Sequence, residues 1–339
     1  KLLIFSTLQS ALTIPFPIPR NQYTHCMKLL EALEIGDVVK ADCKVEKINS
    51  FYTVLKRVEM LTVNVEELNY LAKRLDSFDT GEASQFQAMA HKRDLFELKD
   101  LINLTFCCQQ ATVITDFSDL AAIGRDHYMN LHGGSASVDE LNALDGEKTA
   151  RRLIENGGGT ITPYGVVYDN GMKLEQVYDG RFFPCYYYEP NVITVAVTSK
   201  AEPEDTEHIT WLFLPMVQEE IDRALLRGGI TDPSEIRLSL EDSWLPHEVL
   251  DLLDMDHVDI SELNALVQAL DEFSDMSIRK YAAAAVMARP HTTEQAKHLA
   301  ENLDLFDFAP SASTPEEYGK YMIQQSGYFD YDENLDECL

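Results

Sequence analysis

The sequence has little of what marks membrane-spanning, disulfide-rich or redox proteins. In its 339 residues no apolar run reaches the roughly 18 residues that a membrane-spanning helix needs. The six cysteines are sparse for this length and show no C-x-x-C spacing. We therefore expect a cytoplasmic protein with reduced thiols, in which the adjacent Cys107 and Cys108 belong to the core.

Sequence patterns for catalysis, cofactors and metals are also missing. The glycine runs form neither G-x-x-x-x-G-K-[ST] nor G-x-G-x-x-G, and there is no G-x-S-x-G. The acidic stretch at Asp330 has Leu335 where a calcium loop needs glycine, and the one at Asp254 has Ala265 where it needs glutamate. The histidines lack zinc spacing. We therefore predict no catalytic residues, no metal site and no cofactor.

Negative charge is what the sequence has in excess, and one end carries most of it. The net charge is −29. Residues 1–126 hold 14 basic and 17 acidic residues, residues 127–200 hold 6 and 9, and residues 201–339 hold 8 and 31. Such a field repels nucleic acid and anionic membranes, and it attracts basic surfaces within about 8 to 10 Å. The charge predicts a basic protein partner, with no binding to nucleic acid or membranes.

An internal repeat organises the chain. The segment NVEELN at 64–69 recurs as DISELN at 259–264, an offset of 195 residues. Downstream leucines and Gly124 recur at the same offset, with helical spacing between the leucines. Upstream, IPFPI at 14–18 resembles LFLPM at 212–216, and an amphipathic helix is predicted after each. The repeat predicts that residues 1–126 and 201–325 superimpose.

The order of the predicted elements indicates an α+β fold made of two diverged copies of one module. Each copy is expected to contain a β-hairpin, helices and short strands, with the first strand at 2–5 or 192–197. We predict a near-neutral N-terminal module over 1–130 and an acidic C-terminal module over 201–339. Residues 131–200 are predicted to be a Gly-rich linker and a β-rich bridging segment.

The positions of three glutamates are better explained by helix capping than by a catalytic or binding role. Glu67 and Glu262 each follow an Asn or Asp by three residues and precede apolar periodicity, which is the pattern of a capping box. Glu317 stands in the same relation to Thr314, with Pro315 at the first helical position.

The acidic end contains a strand ending at Phe213–Met216 before an acidic helix, the pattern E-L-N-x-L at 262–266, and a tyrosine-rich helix at 318–321. These elements, with the tail at 327–332, resemble the antirestriction protein ArdA family of mobile genetic elements. The resemblance covers about 205–335 well and 1–130 weakly. It implies an elongated DNA mimic that occupies the DNA-binding groove of a type I restriction-modification enzyme. It also implies a homodimer or, in a tandem chain, an intrachain pseudo-dimer.

The charge supports the same function independently of the resemblance. Duplex DNA carries one charge per about 1.7 Å, so the 23 net charges of the acidic end match roughly 39 Å of duplex. Two alternatives remain: an acidic adaptor that binds another basic partner, such as a different defence nuclease, and a hydrolase with paired carboxylates. The predicted contact residues are Glu219, Glu220, Asp251, Asp254, Asp256, Asp271, Glu272, Asp275, Glu316 and Glu317.

Overall fold

Helices make up 47% and strands 14% of the chain in a computed structural model, which confirms the α+β class. The structure describes residues 2–7, 10–201, 207–328 and 330. The chain divides into two units. Unit 1 comprises Lys1–Pro190, Asp205–Trp211 and Val217–Thr231, and unit 2 comprises Asn191–Glu204, Leu212–Met216 and Asp232–Leu339. Within the described ranges, no helix combines the length and the apolar character needed to cross a bilayer.

Unit 1 begins with a four-stranded sheet whose order is β2-β1-β3-β4. Strand β1 pairs antiparallel with β2 in a hairpin that places Leu2 opposite Pro15, and it pairs antiparallel with β3 on its other side. Helix α1 follows the hairpin and buries Tyr23, Met27 and Leu30. The bounds are β1 (Leu2–Thr7), β2 (Ser10–Pro15), α1 (Tyr23–Glu31), β3 (Cys43–Asn49) and β4 (Thr62–Val63).

Three further helices contribute to the same hydrophobic core as this sheet and α1: α2 (Val65–Asp76), α3 (Thr80–Lys92) and α4 (Leu98–Leu104). Asn64 caps α2, and Asp79 forms a capping box with Glu82 at the start of α3. Cys107 and Cys108 follow α4 as buried free thiols, so their predicted core position is confirmed.

The next part of unit 1 combines helices with a second sheet of order β5-β7-β6. Gly124 and Gly146 allow two of these helices to meet, since a Cβ on Gly124 would lie 1.8 Å from the Gly146 carbonyl oxygen. Gly319, the counterpart of Gly124 in the repeat, faces open space. The bounds are β5 (Thr112–Ile114), α5 (Leu120–Leu131), α6 (Val138–Ala143), α7 (Gly146–Glu155), β6 (Thr160–Thr162) and β7 (Gly165–Tyr168).

Among the described residues, unit 2 contains five α-helices and most of a three-stranded sheet of order β10-β8-β9, whose strand β9 has its first two residues, Thr210 and Trp211, in unit 1. Helix α10 packs against α12 and buries Leu263, Leu266 and Leu270, and the Tyr281 hydroxyl of α11 donates to the Ala296 carbonyl of α12 at 2.9 Å. The bounds are β8 (Ile193–Ser199), β9 (Thr210–Leu214), β10 (Ile236–Ser243), α9 (His247–Leu250), α10 (Ile260–Asp271), α11 (Asp275–Ala288), α12 (Thr293–Glu301) and α13 (Pro315–Gln324). The intervening helix α8 (Gln218–Gly228) belongs to unit 1.

Several local features recur between the units. The strand orders β2-β1-β3 and β9-β8-β10 correspond, and the prolines at 17 and 215 both follow cis peptide bonds. Asn69 Oδ1 accepts the Ile18 N–H at 2.8 Å, and Asn264 Oδ1 accepts the Met216 N–H at 2.8 Å. One difference is the helix after the second proline, α8, which lies in unit 1. The superposition of the two copies stays a prediction.

Candidate functional site

Unit 2 carries most of the negative charge. Its sequence ranges hold 26 acidic and 7 basic residues, a net −19 of the total −29. Eight of the ten predicted contact residues belong to unit 2, and all eight are exposed. They are Asp251, Asp254, Asp256, Asp271, Glu272, Asp275, Glu316 and Glu317.

The first three of these acids lie in the turn between α9 and α10. Asp251 is the C-cap residue of α9. Asp254 organises the turn, because its Oδ1 accepts the Asp256 N–H at 3.3 Å and its Oδ2 lies 2.8 Å from His257 Nδ1. Both of these contacts are exposed, so they leave the carboxylates in water.

The next three acids surround the short connection from α10 to α11. Asp271 is the last residue of α10, Glu272 follows it, and Asp275 is the first residue of α11, for which Ser274 provides the N-cap. Carboxylates are unfavourable at the C-terminal end of a helix because the helix dipole is negative there. Helix stability therefore does not explain why acidic residues occupy positions 271 and 272.

The last two acids lie in the first turn of α13. Thr314 Oγ1 accepts the Glu317 N–H at 3.2 Å, and Glu317 Oε2 accepts the Thr314 N–H at 3.1 Å. With Pro315 at the first helical position, the predicted capping box is confirmed. Glu317 is thus part of a cap, whereas the Glu316 carboxylate makes no hydrogen bond to any residue that the structure describes.

In the part of the chain that the structure describes, none of the eight acids of unit 2 lies within 4.0 Å of a lysine or arginine nitrogen. Asp254 has a histidine partner, since its Oδ2 lies 2.8 Å from His257 Nδ1. Exposed carboxylates of this kind contribute little to stability individually. Their fields add, however, and unpaired charges of one sign raise the local concentration of a basic partner. Together these acids form the candidate surface, which we call the acidic surface of unit 2.

The other two predicted contact residues, Glu219 and Glu220, lie elsewhere. They form the first turn of α8 in unit 1 and are half-buried. Glu220 Oε1 lies 3.3 Å from Lys73 Nζ, and the two side chains are only 19% and 24% exposed. The charge of Glu220 is therefore compensated inside unit 1, so it is not available to a partner as the eight acids of unit 2 are.

Helix α8 also supplies two arginines to unit 1. Arg223 Nε donates to Glu66 Oε1 at 2.7 Å, and its Nη1 donates to the Gly36 carbonyl at 3.1 Å. Both members of the Arg223–Glu66 ion pair are about 15% exposed. Sequence reasoning did not identify this pair, because its members are 157 residues apart.

Arg227, one turn further along α8, is buried to 4% exposure among acceptors. Its guanidinium donates to the Arg181 carbonyl at 2.7 Å and to Asn64 Oδ1 at 3.0 Å, and it also donates to the Tyr178 hydroxyl and to backbone carbonyls at 38 and 180. Its Cζ lies 4.3 Å from the centre of the Phe183 ring. Arg227 is therefore well satisfied and fixes α8 to unit 1.

The Tyr178 hydroxyl connects Arg227 to Glu67. It donates to Glu67 Oε1 at 2.7 Å while it accepts from Arg227, whose Nη2 lies 3.9 Å from the same carboxylate oxygen. Burial raises the pKa of Glu67, and the hydrogen bond from Tyr178 and the charge of Arg227 partly offset that rise. Burial also raises the pKa of Tyr178. The cluster is a desolvated structural network.

This geometry corrects part of the capping prediction. Asn64 caps α2 as predicted, by accepting from two N–H groups of the first turn, and Asp259 caps α10 in the same way. The reciprocal bond from the glutamate was predicted wrongly in both helices, since Glu67 accepts from Tyr178 and Glu262 accepts from the Thr293 hydroxyl at 2.6 Å. A glutamate that is drawn to a partner distant in sequence does not reach back to its own N-cap.

Among the residues that the structure describes, no group of three or more His, Cys, Asp or Glu side chains is placed to hold a metal ion. No protein-family model, curated protein or solved structure matches the chain.

Proposed function

We propose that this chain is a non-catalytic inhibitor of the antirestriction type, in which the acidic surface of unit 2 occupies the DNA-binding site of a type I restriction-modification enzyme. The observation that carries the proposal is the set of eight exposed carboxylates without lysine or arginine partners in the described residues. Acids of unit 1 such as Glu66, Glu67 and Glu220 instead face basic residues of the same unit.

The charge of unit 2 matches what a DNA-binding groove receives from its substrate. At one charge per about 1.7 Å, its net −19 equals the phosphate charge of roughly 32 Å of duplex. A groove that neutralises phosphates with Lys and Arg would neutralise these carboxylates in the same way, with release of counterions. The inhibitor would then need no active site, and DNA would compete with it.

The test is inhibition of DNA cleavage by a type I restriction enzyme at several salt concentrations. The test variant carries six changes in the acidic surface: Asp251→Asn, Asp254→Asn, Asp256→Asn, Asp271→Asn, Glu272→Gln and Asp275→Asn. The matched control removes six exposed acids from unit 1: Glu31→Gln, Glu34→Gln, Glu46→Gln, Glu97→Gln, Asp139→Asn and Glu155→Gln. Both variants change the net charge by the same amount.

We expect the unit 2 variant to lose inhibition and the unit 1 control to keep most of it. Both should retain the far-UV spectrum and unfolding midpoint of the wild type, because exposed carboxylates contribute little to stability. Wild-type inhibition should weaken steeply with salt. Equal inhibition by the two variants, or no inhibition at any salt concentration, would exclude the proposal. Salt-sensitive capture of a different basic nuclease would favour the adaptor function.

The resemblance also implies that two modules act together. Sedimentation velocity of the inhibitory species separates the two arrangements, because a pseudo-dimer sediments as a single chain of 38.4 kDa and a homodimer as twice that mass.

A further inference from the structure

Unit 1 contains an open pocket of about 370 Å³ that the proposed function does not use. One face of α7 forms one wall with Thr149, Arg152, Leu153 and Asn156, at the helical spacing i, i+3, i+4 and i+7. Other parts of the lining come from α5, from the end of β7 and from the turn after β7. This volume is within the range of small-molecule sites.

The hydrogen bonds around Thr112 fix the protonation of the pocket histidine, His127. The Thr112 hydroxyl oxygen lies 2.9 Å from His127 Nδ1, 2.9 Å from Asn170 Nδ2 and 3.3 Å from Asn130 Nδ2. A hydroxyl has one proton and two lone pairs. If both amides donate to it, its proton must go to His127 Nδ1.

The orientation of both amides follows from their other bonds. Asn170 Nδ2 also contacts the Gln110 carbonyl at 2.8 Å, and a carbonyl can only accept, so this atom is the amide nitrogen. Asn130 Oδ1 accepts from Gln85 Nε2, which donates to the Ala111 carbonyl at 2.7 Å. Both amides therefore donate to Thr112.

His127 is thus a neutral imidazole with its proton on Nε2, at the edge of the ring away from Thr112. Burial lowers the pKa of His127, which also favours the neutral form near pH 7. His127 therefore brings to the pocket lining an Nε2–H donor whose tautomer is fixed by a partly buried network.

The pocket also contains an uncompensated cation. Arg152 is exposed and pairs with no carboxylate among the described residues, whereas the adjacent Arg151 lies 2.6 Å from Glu147. The one carboxylate in the lining, Asp169, is 2.8 Å from Lys92 Nζ. The hydrogen bond from Lys92 lowers the pKa of Asp169, which stays ionised and paired. The unpaired charge of the pocket is therefore positive, in a chain of net charge −29.

The remaining residues of the lining provide an apolar surface for a ligand and leave part of the pocket open. Leu153 is half-buried and Tyr168 is 8% exposed, so both can pack against an apolar group. Gly157 and Gly158 form part of the lining with φ of +71° and +84°, and nothing lies within 4 Å of a Cβ added at either. They leave this part of the pocket open.

We propose that this pocket binds a small organic oxyanion, whose charged head contacts Arg152 and His127 Nε2–H and whose apolar body packs on Leu153 and Tyr168. Charge-assisted hydrogen bonds from a guanidinium to a carboxylate or phosphate are shorter and stronger than hydrogen bonds between neutral groups. The binding is independent of the acidic surface of unit 2, so it can be tested on the full chain whether or not the chain inhibits restriction.

The experiment titrates the full chain with phenyl phosphate, benzoate and phenol by calorimetry. Phenyl phosphate and benzoate distinguish a phosphate head from a carboxylate head, and phenol lacks the charge. The test variant is Arg152→Gln, and Arg151→Gln is the matched control because it removes the neighbouring exposed arginine of the same helix. At least one anion should bind, and phenol should bind at least about tenfold more weakly. Arg152→Gln should weaken anion binding about tenfold, and Arg151→Gln by less than about twofold.

A second measurement follows the imidazole nitrogens of His127 by NMR. Binding should shift the protonated Nε2 while Nδ1 keeps the resonance of an unprotonated, hydrogen-bonded nitrogen. The proposal is overturned by no anion binding up to about 10 mM, by equal binding of phenol, by equal losses in the two arginine variants, or by an Nε2 resonance that does not move at saturation.

Discussion

Replacement of Arg227 by methionine should strongly destabilise unit 1. Methionine keeps an apolar stem of similar length, so the packing lost is small. The change removes the donor for three backbone carbonyls, for Asn64 Oδ1 and for the Tyr178 hydroxyl, and it removes the charge beside Glu67. Removing one member of a buried ion pair costs about 3 to 5 kcal/mol. We expect a loss in that range, against a total stability of about 5 to 15 kcal/mol.

Urea denaturation followed by tryptophan fluorescence measures this loss. The chain has two tryptophans, and in a Trp244→Phe background the remaining Trp211 belongs to unit 1. The control is Arg151→Met, which breaks the exposed pair with Glu147 and should cost less than about 0.5 kcal/mol. A loss below about 1 kcal/mol for Arg227→Met would refute the energetic role assigned to the network.

The pH dependence gives a second check through Glu67. Burial already raises its folded pKa, and loss of the arginine charge should raise it further. Where the folded pKa exceeds the unfolded one, the folded state binds the proton more tightly, so stability falls as pH rises through the folded pKa. The loss in free energy of unfolding caused by Arg227→Met should therefore be greatest at neutral pH. It should become smaller as the pH is lowered toward the pKa of an unfolded glutamate, about 4.3. Adding Glu67→Gln to Arg227→Met should reduce this loss in free energy of unfolding at pH 7. A loss that does not change with pH would contradict this account.

Two further predictions concern the matched asparagines and the thiols. Asn69→Ala and Asn264→Ala each leave a backbone N–H without its acceptor and should cost about 1 to 3 kcal/mol. The cost should be larger for Asn69, because Ile18 is 3% exposed and Met216 is half-buried, and urea denaturation of the two variants checks the order. In a Cys338→Ser background, since Cys338 lies outside the described residues, the half-buried Cys185 should react first with a disulfide reagent at pH 8. Burial raises the pKa of the thiols of Cys26, Cys43, Cys107 and Cys108, so rapid labelling of these four in the folded protein would contradict their placement in the core.

Local signals in the sequence determined the class of fold and several helix starts. The caps at Asn64, Asp259 and Thr314 were predictable, because a side chain bonds the backbone two or three residues away and needs nothing else. The apolar spacing of α2 and α10 was equally informative. Such features depend on about a dozen consecutive residues, so the chain itself specifies them.

In residues 131–200, the glycine-rich and aromatic composition predicted the local structure wrongly in two places. Residues 131–200 were predicted to be a Gly-rich linker and a β-rich segment, but they contain α6 and α7 as well as strands. Ser137 forms a capping box with Glu140, and Asp145 caps α7, so the start signals were present among the glycines. The aromatic run at 182–188 forms no strand, and within unit 1 its Phe183 ring stacks on Tyr70 with 4.5 Å between the ring centres.

Only the tertiary structure decided which charges are compensated. By sequence, Glu219 and Glu220 look like the acids of unit 2, yet α8 packs in unit 1, where Glu220 meets Lys73 and Arg223 meets Glu66. These partners are 147 and 157 residues apart, and no periodicity reaches across such a separation. The sequence by itself determined that acids outnumber bases near the C-terminus. Whether a given carboxylate is neutralised depends on which side chains the fold brings within a few ångströms, because the interaction of two charges falls with their distance and with exposure to water.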